Sequence, residues 1–265
     1  MAPPKPSPVI KLVACDVDGT LLDSARRVPE PNRAAIAALR ARGIAFVLCT
    51  GRPPRAIRAL WEEIGLTEPV VAYNGAVIWD VRAWAACWEA PIPGDTLLAA
   101  IGCARATVPG AVLSIEAMDH WWTDRLLAPR ADGAFRSPPD GEGPVEGFAR
   151  GRSAHKLLFF AEADAYVRFT AAMPAGLRAT RNRGGLVEVQ SAAAAKSTAV
   201  ARLAKPSEVL ALGDDHNDLD LLRWAGDSAA PADATPEALA AARRVVAASD
   251  AGSVADAVRL LVAGG

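Results

Sequence analysis

Asp16 and Asp18 stand two residues apart where an apolar run gives out, in Val13-Ala14-Cys15-Asp16-Val17-Asp18-Gly19-Thr20-Leu21-Leu22. Residues two apart on a strand project to the same side. The spacing therefore predicts both carboxylates on one face at the mouth of a sheet, where ligands bind in open α/β folds. Two carboxylates that close repel, so the pair calls for a shared proton or a cation. A buried structural pair is the plainer reading, but charges are costly to bury unless paired or bound to metal.

Three further segments offer complementary chemistry. Thr50, in Cys49-Thr50-Gly51-Arg52, brings a hydroxyl and a backbone N–H left open by glycine. Lys196 brings a cation, and Gly213-Asp214-Asp215-His216-Asn217-Asp218 brings further oxygen ligands. Phosphoryl transfer needs such a set, because its transition state spreads charge over non-bridging oxygens and is stabilised mainly by positioned charge. Mg²⁺ suits the acidic groups, since it takes oxygen ligands and keeps waters and a substrate phosphate.

The elements that must hold these residues follow from the apolar pattern. Residues 9–15 read as a buried strand, ended by the turn at Gly19 and Thr20. Pro31 opens a helical run that Gly43 closes, 44–49 reads as a second strand, and Pro53-Pro54 begins a helix ending at Gly65. A third strand over 70–73 precedes the turn dipeptide Asn74-Gly75. Strands alternating with helices predict a doubly wound parallel sheet. From 84 to 189 the pattern changes to helices near 95–106 and 164–173, interleaved with strands near 111–117, 156–161 and 186–190. That predicts an inserted α+β domain over 84–189 between two core segments, 1–83 and 190–265. The first rhythm then returns, with helices over 194–203 and 218–224 around a strand at 209–212; the alanines at 192–195 read as a helix start.

Composition narrows the function classes. The 265 residues are 51% hydrophobic, enough for a real core. Lys plus Arg number 29 against 30 for Asp plus Glu, so no charge bias points to nucleic acid or to an anionic membrane. No apolar stretch reaches the roughly 20 residues needed to cross a bilayer. The start, Met1 to Pro8, is proline-rich and lacks the apolar run of a signal peptide. Cys15, Cys49, Cys87 and Cys103 have no metal-ligand spacing. The expectation is a soluble cytoplasmic protein, monomer or homodimer, acting on a small molecule.

Asp16-Val17-Asp18-Gly19-Thr20-Leu21-Leu22, Thr50-Gly51-Arg52, Asn74-Gly75-Ala76, Lys196 and Gly213-Asp214-Asp215-His216-Asn217-Asp218 resemble, in order, the motifs of the haloacid dehalogenase superfamily of phosphatases. The grouping resembles the Cof-type sugar-phosphatase branch, whose caps are inserted between the second and third motifs. The resemblance implies a Rossmann-like core and hydrolysis of small phosphorylated metabolites with Mg²⁺. Asp16 would form an aspartyl-phosphate, and Asp18 would protonate the leaving oxygen and then deprotonate water. Thr50, Gly51, Arg52, Asn74, Asn217 and Lys196 would meet the phosphoryl group or the rest of the substrate. Asp16, Asp18 through its backbone carbonyl, and Asp214 would hold Mg²⁺, with Asn217 and Asp218 in support.

Two departures stand out. Asp215 occupies a place usually taken by glycine, and alanines rather than glycine and serine lead into Lys196, with Lys205 as the fallback cation. A phosphomutase of the same superfamily is a second reading, drawing on Arg125, Arg130, Arg136 and Arg150 to hold a bisphosphate. A non-catalytic phosphometabolite-binding module is a third, but a mere binder has no use for the second carboxylate. Asp119, His120, Trp121, Trp122, Arg125 and His155 are candidate leaving-group contacts, with packing roles as the alternative for the histidines and tryptophans.

Overall fold

The computed structural model describes residues 10–126, 138–182 and 184–263. The chain divides into two compact units, Met1–Trp88 with Ala195–Gly265, and Glu89–Ala194. In chain order the first segment carries β1 (Leu12–Cys15), α1 (Glu30–Ala41), β2 (Ala45–Leu48), α2 (Arg58–Glu63), β3 (Val70–Ala72), β4 (Val77–Asp80) and β5 (Ala85–Glu89). The second unit follows with α3 (Gly94–Thr107), β6 (Ser114–Ala117), β7 (His120–Thr123), β8 (Gly141–Glu142), α4 (Val145–Ala149), β9 (Lys156–Phe160), α5 (Ala163–Ala172), β10 (Leu177–Arg181) and β11 (Leu186–Ser191). The chain then returns to the first unit with α6 (Lys196–Val200), β12 (Val209–Leu212), α7 (Leu219–Trp224), β13 (Asp227–Pro231), α8 (Pro236–Ala241), β14 (Arg244–Val246) and α9 (Ser253–Ala263).

The first unit is built on a parallel sheet of order β14-β13-β12-β1-β2. β1 and β12 are buried along their whole length, because helices cover both faces and the strands read as continuous apolar runs. Leu12, Ala14, Val47, Val209 and Ala211 pack with Leu221, Leu222 and Ala238 on one side. From β1 the chain winds one way to β2, and from β12 it winds the other way through β13 to β14. The ends of β1 and β12 thus form the switch point at which α/β sheets place their ligands.

β3 is not a full member of that sheet. It forms a three-stranded sheet with β4 and β5, joined to the main sheet through the parallel bridge of Cys49 with Val71. The hairpin of β4 and β5 escapes a reading based on strand–helix alternation, because the chain there doubles back without a helix.

The second unit carries a sheet of order β10-β11-β9-β6-β7-β8, antiparallel except for the β7–β8 pair. Ile115, Leu157, Phe159, Val187 and Val189 from one of its faces pack on Leu97, Ile101 and Ala104 of α3 and Phe169 of α5. The expected strand over 111–117 shortens to β6. β7 turns back through Met118 and Asp119, both at positive φ (48° and 70°), a two-residue hairpin that no Asn-Gly or Gly signal announces. β10 and α4 are further elements that the pattern does not predict.

The alanines at 192–195 do not start a helix. Ala195 is extended, with φ −138° and ψ 147°, and α6 begins at Lys196. Alanine offers no side-chain oxygen to cap a helix. A distant carboxylate does so instead: Asp220 Oδ2 accepts from the Ser197 N–H at 2.8 Å.

Candidate active site

The loop after β1 is held from several sides. Asp16 N–H donates to Leu212 O at 2.9 Å, which ties the strand end to β12. Asn32 of α1 donates to Leu21 O at 3.1 Å and accepts from Ala255 N–H of α9 at 3.0 Å. Ser253 donates to Thr20 O at 2.6 Å. Gly19 has φ +84°, and a Cβ there would lie 2.3 Å from Asp214 Oδ2, so glycine is needed for both conformation and approach.

The strand ends at Cys15, one residue before Asp16, so the alternation that predicted a shared face stops short of the pair. Asp16 is buried and accepts from Lys196 Nζ at 2.5 Å. The half-exposed carboxylate of Asp18 is instead held by Arg52, with Nε donating to Oδ2 at 2.8 Å and Nη2 to Oδ1 at 2.5 Å. The carboxylates that crowd Asp16 are Asp214 and Asp218: one oxygen from each of the three lies within 4.8 Å of the others.

Charge is unbalanced in this cluster. Lys196 and Asp218 are wholly enclosed, with Nζ 2.6 Å from Asp218 Oδ1. Burial works against the ammonium, but Asp16 and then Asp218 outweigh it and hold Lys196 protonated above its ordinary range. One ammonium cannot satisfy three carboxylates. Burial, and after it the Asp218 charge, push Asp16 well above the usual carboxylate range. The same two causes push Asp214 up to about 7, against a hydrogen bond from Thr20 Oγ1 at 3.0 Å.

The donor set fits a hard divalent cation, being all oxygen and short of positive charge. Asp16 and Asp214 are the members best placed to ligate. Asp218 has both oxygens engaged, Oδ1 by Lys196 and Oδ2 by the N–H groups of Asp214 and Asp215 at 3.1 and 3.2 Å. It orders the loop after β12. Asp18 puts no carboxylate oxygen into this cluster, which leaves its backbone carbonyl as the route expected from the motif resemblance.

The segment after β2 is knitted to the turn after β3. Thr50 is buried, its N–H donates to Val71 O and its carbonyl accepts from Asn74 N–H, both at 2.8 Å. Its hydroxyl accepts from Arg52 N–H at 3.1 Å. Asn74, at φ +53°, accepts through Oδ1 from Asn217 Nδ2 at 3.0 Å. A Cβ on Gly51 would meet that same Oδ1 at 2.9 Å, and one on Gly75 would meet Ala195 O at 2.1 Å. This turn therefore brings the segments of Thr50, Lys196 and Asn217 together. Lys205 caps the short turn over 206–208 and takes no part.

The family model of the haloacid dehalogenase-like hydrolases matches residues 13–258. The chain belongs to that family. Among curated relatives of this hydrolase, the Bacillus subtilis (strain 168) protein named "Putative phosphatase YxeH" is 28% identical over 273 residues, spanning 95% of this chain and 98% of its own. Among solved structures, BT1666 from Bacteroides thetaiotaomicron, described as a phosphatase of the superfamily, superposes with TM-score 0.85 at 24% identity over 98% of each chain. BT4131, described as a subclass IIB sugar phosphatase, has TM-score 0.81 at 18% identity, covering 95% of this chain and 99% of its own. The Cof-type grouping and the Rossmann-like core with an additional α+β domain are borne out.

Three residues of the hydrolase's site stand outside the sequence-derived set. Thr20 and Asp220 follow motif residues closely and hold Asp214 and the Lys196 turn. Thr235 supports Asp214 by donating its hydroxyl to Asp214 O at 3.1 Å, a contact without a local signal. Asp215 accepts from His216 N–H at 2.7 Å and half faces solvent, which accounts for a carboxylate where glycine is usual.

In the second unit the candidate leaving-group residues are occupied locally. His120 pairs with Asp140 at 2.8 Å, and Trp121 donates to Pro138 O at 3.0 Å. Trp122 stacks on Phe148 at 5.5 Å, and buried His155 lies between Glu89 and Met118 N–H. Asp119 forms the β6–β7 turn, and Arg125 is exposed beyond β7. Arg130, Arg136 and most of the Pro/Gly-rich stretch over 129–144 lie outside the described residues.

Proposed function

We propose that this hydrolase is a Mg²⁺-dependent phosphatase of small phosphorylated metabolites, sugar phosphates foremost, working through an aspartyl-phosphate on Asp16. The observation that carries the reading is the buried Asp16 carboxylate beside Lys196 at the switch point, in a cluster short of positive charge. The phosphatase names of full-length relatives support it.

Asp16 attacks phosphorus, and an O–P bond to Asp16 forms as the ester P–O bond breaks. The electron pair of that bond stays on the leaving oxygen, which takes a proton from Asp18. Asp18, now a carboxylate, accepts a proton from the attacking water, whose oxygen displaces Asp16 and releases phosphate. Lys196 orients Asp16 and offers its ammonium to the phosphoryl oxygens, with Thr50 and Gly51 beside it. Asp16, Asp214 and the Asp18 carbonyl would hold the metal, which when bound offsets charge on the carboxylates and on the phosphoryl oxygens. On this reading the unit Glu89–Ala194 is an inserted domain that selects the leaving group.

A panel of phosphorylated metabolites, scored for released phosphate, tests the reading. Activity should vanish in EDTA, return with Mg²⁺ and fall with Ca²⁺, which prefers more ligands and looser geometry. Full turnover after exhaustive chelation would remove the metal, and no phosphate release from any ester would remove the phosphatase.

A further inference from the structure

Lys196 is the second residue of the chain's return to the first unit, whose boundaries fall after Trp88 on the way out and before Ala195 on the way back. The helix that carries it, α6, is only five residues long, Lys196-Ser197-Thr198-Ala199-Val200. Isolated helices shorter than about 12–15 residues are marginal in water, and serine, threonine and valine are weak helix formers. The hold on Lys196 must therefore come from outside the segment.

At the start of α6 that hold is the Asp220 carboxylate on Ser197 N–H, with Gly75 admitting the close approach of Ala195 O. At the far end it is Trp88. Hydrogen bonds carry the segment past the helix: Ala201 N–H donates to Ser197 O at 2.9 Å, Arg202 to Ala199 O at 3.1 Å, and Leu203 and Ala204 to Val200 O at 2.8 and 3.0 Å. Arg202 then places its guanidinium carbon over the Trp88 ring, 4.3 Å from the centroid, within the range of a cation–π contact. Trp88 is half-buried and packs against the core of the parallel sheet, as do Leu203 and Ala204. The indole is thus gripped by the core and by the guanidinium at once. It joins the strand on which the chain leaves the first unit to the segment on which it returns.

We propose that Trp88 and Arg202 are positioning residues for Lys196: ring and guanidinium lock the far end of the α6 segment, so that the ammonium keeps its place beside Asp16. The role rests on the phosphatase reading and adds to it a brace remote from the reacting atoms. Arg202 is exposed, so its loss leaves the core intact and acts on the brace. Arg58 lies over Trp84 at 4.8 Å, a contact of the same kind that holds α2 instead of α6, and serves as the control.

The test compares wild type, Arg202→Met, Arg202→Lys, Trp88→Leu, the double variant Trp88→Leu/Arg202→Met and Arg58→Met as full-length, Mg²⁺-loaded proteins on p-nitrophenyl phosphate and the metabolite panel. Arg202→Met should lower kcat about three- to tenfold with KM within about twofold, since catalysis falls steeply when a group is slightly displaced. Arg202→Lys should recover most of that loss, because an ammonium also sits over an indole face. Trp88→Leu should lower kcat by a similar factor, and the double variant by no more than the larger single loss. Should Trp88→Leu fail to fold, Arg202→Met and its rescue by lysine decide the matter alone. Arg58→Met should keep the wild-type kcat. Amide hydrogen exchange over 196–204 should quicken in Arg202→Met and not in Arg58→Met. Losses that multiply in the double variant, losses confined to KM, or an unchanged kcat in Arg202→Met would reduce the pair to a packing contact and overturn the proposal while leaving the phosphatase intact. A wild type silent on every ester would overturn both.

Discussion

Lys196 Nζ lies 2.6 Å from Asp218 Oδ1 with neither side chain reached by solvent, and the same nitrogen lies 2.5 Å from Asp16 Oδ1. The ammonium is thus a structural counter-ion as well as the catalytic group proposed above. Lys196→Met should cost about 3–5 kcal/mol in urea unfolding, because it leaves buried carboxylates without a partner. Millimolar Mg²⁺ should recover part of that loss. A cost under about 1 kcal/mol would show that the carboxylates neutralise themselves by protonation.

Asp16→Asn should abolish turnover by about three orders of magnitude or more, because the amide keeps the shape but cannot serve as nucleophile. Its melting temperature should equal or exceed that of wild type, since one negative charge leaves a cluster that already has too many. Phosphate release above a few per cent of wild type would end the covalent mechanism.

Gly75 and Gly43 both have positive φ, +93° and +71°, but only at Gly75 does a Cβ collide with backbone, 2.1 Å from Ala195 O. Gly75→Ala should therefore displace the approach to Lys196 and lower kcat at least about tenfold, in line with the sensitivity of catalysis to small misplacements. Gly43→Ala should cost about 1–2 kcal/mol from its left-handed conformation alone, with kcat unchanged. Equal effects on kcat would show that the 73–75 turn does not position the site.

His155 is buried, and its Nδ1 accepts from Met118 N–H at 3.2 Å while Nε2 faces Glu89 at 3.0 Å. Burial pulls its pKa below the ordinary 6.5, against a raising contribution from Glu89. The unfolded chain then takes up a proton before the folded one does as pH falls. Stability from this group is complete above pH 6.5 and declines as pH drops from there toward the folded pKa. Thermal melts between pH 5 and 7 should show that decline, and His155→Gln should flatten it. A slope unchanged by the substitution would assign it to carboxylates.

The sequence by itself determined the parallel core and the site's main components. An apolar run ending in Asp16, a glycine turn and a proline-opened helix are local signals, and their alternation leaves few topologies. The partners of the site residues are a different matter. Asp18 turns to Arg52, 34 positions away, and Asn74 meets Asn217 across 143, and nothing within either segment specifies such a pairing. The expected common face of Asp16 and Asp18 fails because β1 stops at Cys15, where the backbone leaves the two-residue repeat. β4, β5 and β10 gain their ladder bonds from strands next to them in the chain, pairings that a reading by strand–helix alternation passes over. Local sequence decides where a strand or turn begins, because that depends on backbone sterics and periodic burial. Which charge faces which is decided only when distant segments pack and each buried polar group must find a partner.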